Sequence, residues 1–111
     1  MIHKMDLWHE SFEKIKSKSK TIELRLNDEK RALIEIGDII EFNDTSSGEK
    51  IRCNVVNLFR YADFETLYQN HNKLSIDYQE NETADPADML AYYSEDKINK
   101  YGVVGIEISV I

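Results

Sequence analysis

The apolar positions of this chain switch between two periods, and each switch marks the start of an element. His3 to Leu7 is short and mixed, and reads as an edge strand. Asp6 stands where an N-cap for the following helix is expected. Trp8, Phe12 and Ile15 then fall at i, i+4 and i+7, one face of a helix of about ten residues. From Thr21 to Leu26 the period drops to two. Ile22, Leu24 and Leu26 point to one side, and Thr21, Glu23 and Arg25 to the other. A polar connection over 27–31 and the apolar Leu33, Ile34 and Ile36 lead to a turn at Gly37-Asp38. Residues 39–42 read as a strand. The turn formers of 43–48 then predict a hairpin with a long strand over 51–59. That strand shows Ile51, Cys53 and Val55 on one face and Val56 and Leu58 on the other, as expected of a central, curved strand in a barrel-like sheet.

Helical spacing returns at Asp63, which caps a short helix to Asn70 with Phe64, Leu67 and Tyr68 inward. Residues 71–83 are polar and show no period. Asp85-Pro86 signals a helix start, because proline at the first helical position gives up no hydrogen bond. Ser94 opens a further short helix reaching Lys100, and Gly102 ends it. Residues 103–111 close the chain as a strand in which Val104, Ile106, Ile108 and Val110 alternate. Burying that last strand requires pairing between elements distant in sequence. The expected architecture is α+β: one domain over 1–111, built on a mixed, mainly antiparallel β-barrel flanked by short helices.

Charge adds an asymmetry. The formal net charge is −7. Residues 1–60 carry eleven Lys/Arg and eleven Asp/Glu, whereas 61–111 carry three and ten. Indiscriminate nucleic-acid binding is thereby disfavoured, since phosphate affinity comes mainly from Lys and Arg. A local basic patch from the first half remains available, as does an acidic second half that would suit protein partners. The single cysteine, Cys53, excludes an intrachain disulfide and alternates with apolar neighbours, so it is expected in the core. His3, His9 and His71 show no ligand spacing, so neither a metal nor a cofactor is expected. No apolar run approaches the roughly 20 residues that span a bilayer, and the first residues lack a signal-peptide core. The expected location is cytoplasmic.

The densest basic run is Lys14 to Arg25. Lys14, Lys16 and Lys18 are accounted for by the C-terminal end of a helix, where the dipole favours cations. Lys20, Glu23 and Arg25 are not. Glu23 and Arg25 lie two apart on a strand, sharing a face about 7 Å apart at the backbone, and Lys20 enters that strand. Flanked this way, a carboxylate suits a nucleotide: Lys20 and Arg25 for a phosphate or carbonyl oxygen, Glu23 for an amino group or sugar hydroxyl. The plainer account is a structural ion pair on a strand surface. Arg60 offers a second basic contact. Six of the eleven aromatic residues are tyrosines; Tyr93 and Tyr101, with Tyr92, are the ones placed to stack on a base.

The run Lys20-Thr-Ile-Glu23-Leu-Arg25 resembles the Gly-x-Lys-x-x-Glu-x-Arg motif of the ASCH domains, in the PUA-like superfamily of small β-barrels. Lys18 stands where the family has its glycine. The preceding Phe12-Glu-Lys-Ile-Lys16, the Ile36-Gly37-Asp38 and the closing Tyr101-Gly-Val-Val-Gly-Ile-Glu107 extend the resemblance over nearly the whole chain. It implies RNA or a nucleotide as partner, with Lys20, Glu23 and Arg25 lining the cleft. One branch of the family is an amidohydrolase of N4-acetylcytidine that uses a lysine, a threonine and a glutamate. Its lysine aligns with Lys20, but its threonine falls on Glu23, so the activity does not carry over directly. If the chain is an enzyme of modified nucleosides or RNA, Lys20 and Glu23 are the catalytic candidates, with Glu23 as base. A protein-interaction module using the acidic half is the third reading.

Overall fold

A computed structural model describes all residues from Met1 to Ile111. Five strands form one curled mixed sheet: β1 (Ile2–Leu7), β2 (Ile22–Leu26), β3 (Ile39–Asp44), β4 (Lys50–Tyr61) and β5 (Val103–Val110). Their spatial order is β1-β3-β4-β5-β2. β1 pairs with β3 in parallel; the other three pairings are antiparallel. The two edge strands, β1 and β2, are consecutive in the chain and joined by helix α1 (His9–Lys16). Two more short helices, α2 (Phe64–Asn70) and α3 (Glu95–Tyr101), flank the sheet. No helix is long and apolar enough to cross a membrane. The α+β, mainly antiparallel, barrel-like architecture expected from the pattern is the one observed.

The sheet carries apolar packing on both faces. On the concave side Met5, Leu7, Ile40, Phe42, Val55, Val104 and Ile106 pack with Phe12 and Ile15 of α1. On the convex side Ile22, Leu24, Leu26 and Val103 pack with Phe64 and Leu67 of α2, Ile98 of α3, and Ile76. Two covered faces explain why β2 is buried along its length although it lies at an edge.

The long strand departs from simple alternation. A bulge between Val55 and Asn57 inserts one residue, so Val55 and Leu58, three apart, both meet the concave cluster. Val56 is left exposed. Leu58 therefore shares the side of Cys53 and Val55 instead of opposing them. Cys53 is fully buried, as its apolar neighbours implied.

Helix α1 also starts later than its pattern suggests. Asp6 belongs to β1, and Trp8 occupies the N-cap position with no side-chain cap. Trp8 precedes the first turn and stands outside the face of Phe12 and Ile15; it is 70% exposed. The helix ends in a Schellman turn: Lys18 N donates to the Ile15 carbonyl at 3.0 Å and Ser19 N to the Lys14 carbonyl at 3.0 Å. The left-handed residue of that turn is Lys18, at φ 68°. A glycine is favoured there, and it is the position at which the sequence motif has one.

Candidate functional site

The Schellman turn delivers the chain to β2 with Lys20 at its entrance. The amides of Thr21 and Ile22 both donate to the Ser75 carbonyl, at 3.1 and 2.9 Å. That anchor brings residues 76–78 against the start of β2. On β2, Glu23 lies opposite Ile106 and Arg25 opposite Val104. Directly opposed residues share a face, and Ile106 and Val104 belong to the concave core. Glu23 and Arg25 thus occupy interior positions where a sheet ordinarily places apolar side chains. This is no surface ion pair: Lys20 is 5% and Glu23 4% exposed.

Lys20 Nζ donates to Glu23 Oε1 at 2.8 Å and to Asp77 Oδ2 at 3.3 Å. Arg25 Nε donates to Glu23 Oε2 at 2.8 Å. Asp77 Oδ2 also accepts from Ser11 Oγ at 2.6 Å, and Lys14 Nζ lies 2.9 Å from its Oδ1. Asp77 holds this position at φ 95°, a conformation disfavoured for a residue with a side chain. The array alternates charge: Lys14, Asp77, Lys20, Glu23, Arg25. Burial pushes the Glu23 carboxyl up, but Lys20 and Arg25 outweigh it and hold its pKa below the ordinary value. Burial pushes Lys20 down, and Glu23 and Asp77 outweigh that in turn, raising it. Asp77 is likewise held low, with Lys20, Ser11 and Lys14 overcoming burial. All three are ionised at neutral pH.

This array forms one wall of a pocket of about 410 Å³, within the size range of small-molecule sites. Trp8, Tyr68, Tyr78, Tyr92 and Tyr93 contribute aromatic surface, and Met89 and Leu24 aliphatic surface. Tyr78 carries a hydroxyl relay, donating to Asp88 Oδ2 at 2.8 Å and lying 3.0 Å from the Tyr68 hydroxyl. Of the residues singled out from sequence, Lys20, Glu23, Arg25, Tyr92 and Tyr93 meet in this pocket. Arg60 and Tyr101 do not. Arg60 shares the interior row through Val104, but its guanidinium bonds Asn27 Oδ1 at 3.0 Å and the Ile34 carbonyl at 3.4 Å. Tyr101 packs on the convex core, with Lys100 Nζ 5.0 Å from its ring centre. Sequence reasoning missed Ser11, Asp77, Tyr68 and Tyr78. Asp77, Tyr78 and Glu82, from the polar stretch without a period, line the pocket together with Asp88. Its one signal was the need of several basic residues near Lys20 for counter-charges.

A second cluster lies elsewhere. His9, Glu13 and Asp44 each offer a ligand atom, all within 4.8 Å of one another. His9 Nδ1 sits 2.7 Å from Asp44 Oδ2, an interaction that fastens α1 to the end of β3.

A family model described as the ASCH domain matches residues 5–111. The chain belongs to the ASCH-domain family. The curled mixed sheet is the PUA-like fold of that family. The ASCH chain is similar over its whole length to the hypothetical protein PH0355, whose crystal structure superposes with a TM-score of 0.84 at 32% identity, covering 100% of both chains. It is similar also to protein PF0455 from Pyrococcus furiosus, seen by solution NMR, with a TM-score of 0.78 and 33% identity over 100% of this chain and 98% of that one. An ASCH protein from Zymomonas mobilis shares the fold at a TM-score of 0.58 and 18% identity, over 97% of this chain and 66% of that one. No curated protein matches the chain.

Proposed function

We propose that this ASCH domain binds a single nucleobase with its sugar, presented by RNA or as a free nucleoside or nucleotide, in the cytoplasm. The observation that carries the reading is the buried Lys20–Glu23–Arg25 array, set into the wall of a pocket with five aromatic side chains. A base has two faces for aromatic stacking and an edge for hydrogen bonds. Glu23 keeps spare lone pairs for an exocyclic amine, and Lys20 spare donor capacity for a ring carbonyl. The general association of the ASCH family with RNA points the same way. Because the three residues converge on a concave site, the pocket reading is favoured over a protein-interaction role for the acidic half.

Titration of nucleosides and short single-stranded RNA, followed by amide NMR shifts, tests the proposal. Shifts are expected to cluster on β2, Trp8 and 76–93 and to vanish in Glu23→Gln and Arg25→Ala. Wild-type affinity in both variants would refute it.

A second reading is a hydrolase of a modified nucleoside, favoured by the 2.8 Å contact between Lys20 and Glu23. The electrostatics speak for binding instead. A general base works best with a pKa near the operating pH, whereas Glu23 is held low and Lys20 high. Turnover of an acylated cytidine, lost in Glu23→Gln, would establish the hydrolase.

A further inference from the structure

The pocket's charges are unevenly spent. It holds two cations, Lys20 and Arg25, and five carboxylates. Both cations are committed: Lys20 to Glu23 and Asp77, Arg25 to Glu23 and to the Asp6 carbonyl at 2.8 Å. Glu23 and Asp77 are neutralised in return. The other three carboxylates, Asp6, Glu82 and Asp88, have no cation within 4.0 Å. They accept instead from neutral donors: the Asn43 amide, the Gln79 backbone N–H and the Tyr78 hydroxyl. Three carboxylates therefore line the pocket without an ion pair, and of these only Asp6 feels a cation at longer range, from Arg25.

Two aromatic side chains stand with them. Trp8 is 70% exposed and Tyr92 61%, and both line the pocket. Bare aromatic faces beside unpaired carboxylates attract cations: the ring quadrupole supplies one attraction and the carboxylates a second. A phosphate in the same place would be repelled by all three carboxylates and would find no free lysine or arginine.

We propose that the occupant is a nucleoside whose base carries a positive charge, such as an N-methylated purine or pyrimidine, and that phosphate is excluded from the pocket. This rests on the nucleobase reading above and narrows it to a charge class. The buried array would read the edge of the base, while Trp8, Tyr92, Glu82 and Asp88 would select its charge.

Trp8 is the only tryptophan, so its fluorescence reports binding directly. The probes are guanosine, 7-methylguanosine and their 5′-monophosphates, titrated at low and high salt. The methylated nucleoside is expected to bind about tenfold more tightly than guanosine at low salt, with the margin shrinking as salt screens the carboxylates. Each monophosphate is expected to bind more weakly than its nucleoside. The double variant Glu82→Gln/Asp88→Asn keeps both hydrogen-bond acceptors and removes both charges. It should reduce the margin between 7-methylguanosine and guanosine severalfold, which separates charge selection from better stacking of a methylated ring. Equal affinity for guanosine and 7-methylguanosine, tighter binding of a monophosphate than its nucleoside, or an unchanged margin in the double variant would overturn the charge selection and leave the nucleobase pocket standing. Absence of binding by all four probes would overturn both.

Discussion

Arg25 Nη2 donates to the backbone carbonyl of Asp6 at 2.8 Å. These residues sit on β2 and β1, the two edges of the sheet, which do not pair with each other. A single guanidinium thus bridges the seam of an open barrel while its Nε holds Glu23 in place. Lysine, with all its donors on one nitrogen, lacks the planar fork that lets separate nitrogens reach both partners. Arg25→Lys is expected to lower stability by about 2 kcal/mol, and Arg25→Ala by about 3–5 kcal/mol because Glu23 then loses a buried partner. Urea midpoints check both, with an unchanged slope if the native state stays compact.

Lys18 occupies the left-handed position of the Schellman turn at φ 68°. Glycine adopts that conformation without steric penalty, at the expense of a freer unfolded chain. Lys18→Gly is expected to stabilise the fold by about 0.5–1 kcal/mol. Lys18→Ala, which removes the charge but keeps a Cβ, should give no such gain. Thermal melts of the pair separate backbone strain from charge.

Gly102 terminates α3 at φ 71°, and a Cβ there would lie 2.8 Å from the Tyr61 carbonyl oxygen. Both the backbone conformation and the space exclude a side chain. Gly102→Ala is expected to cost on the order of 3 kcal/mol, read as a drop in melting temperature of more than 10 °C at the usual scaling for a domain of this size.

Acid stability should track two aspartates outside the pocket. Hydrogen bonds from His3 and from the Glu35 amide hold Asp38 at about 2. Burial pushes Asp44 up, but hydrogen bonds from His9 and the Ser46 amide outweigh it and bring it to about 2. A carboxyl whose folded pKa is depressed stabilises fully above its unfolded value, near 3.8, and loses that contribution as pH falls toward 2. The Asp44 bond raises His9 above 6.5, so its contribution is complete below 6.5 and fades as pH rises through the raised value. Melting temperature is expected to fall below pH 4 and, more gently, as pH rises past 6.5. Asp44→Asn should flatten both limbs; an unchanged profile would show that His9 and Asp44 are not coupled.

Much of this was legible in the sequence, and the gaps have physical causes. Strict alternation exposed β2 and β5, because each packs one face on a different core. Glu23 and Arg25 were recognisable as a shared face, but their burial was not, since period alone cannot say which face of an edge strand turns inward. The bulge at Val55–Asn57 hid the true partner of Leu58, as one extra residue inverts every later side chain. Asp77 was invisible because it sits in an aperiodic stretch and acts through a rare backbone conformation. Trp8 matched a helical face by spacing, yet it precedes the first helical turn.

The strand order has a consequence for how the molecule comes into being. β2 precedes most of the fold in the chain, but its only strand partner is β5, the last of the five strands. Until Val103–Val110 is available, nothing sets the register of Glu23 against Ile106. The lysine, glutamate and arginine of the pocket stay in water through most of synthesis and meet only in the final long-range closure. In a nascent ASCH chain the assembled array is expected to wait for β5, and a ribosome-stalled chain lacking β5 would carry the whole motif and no pocket wall.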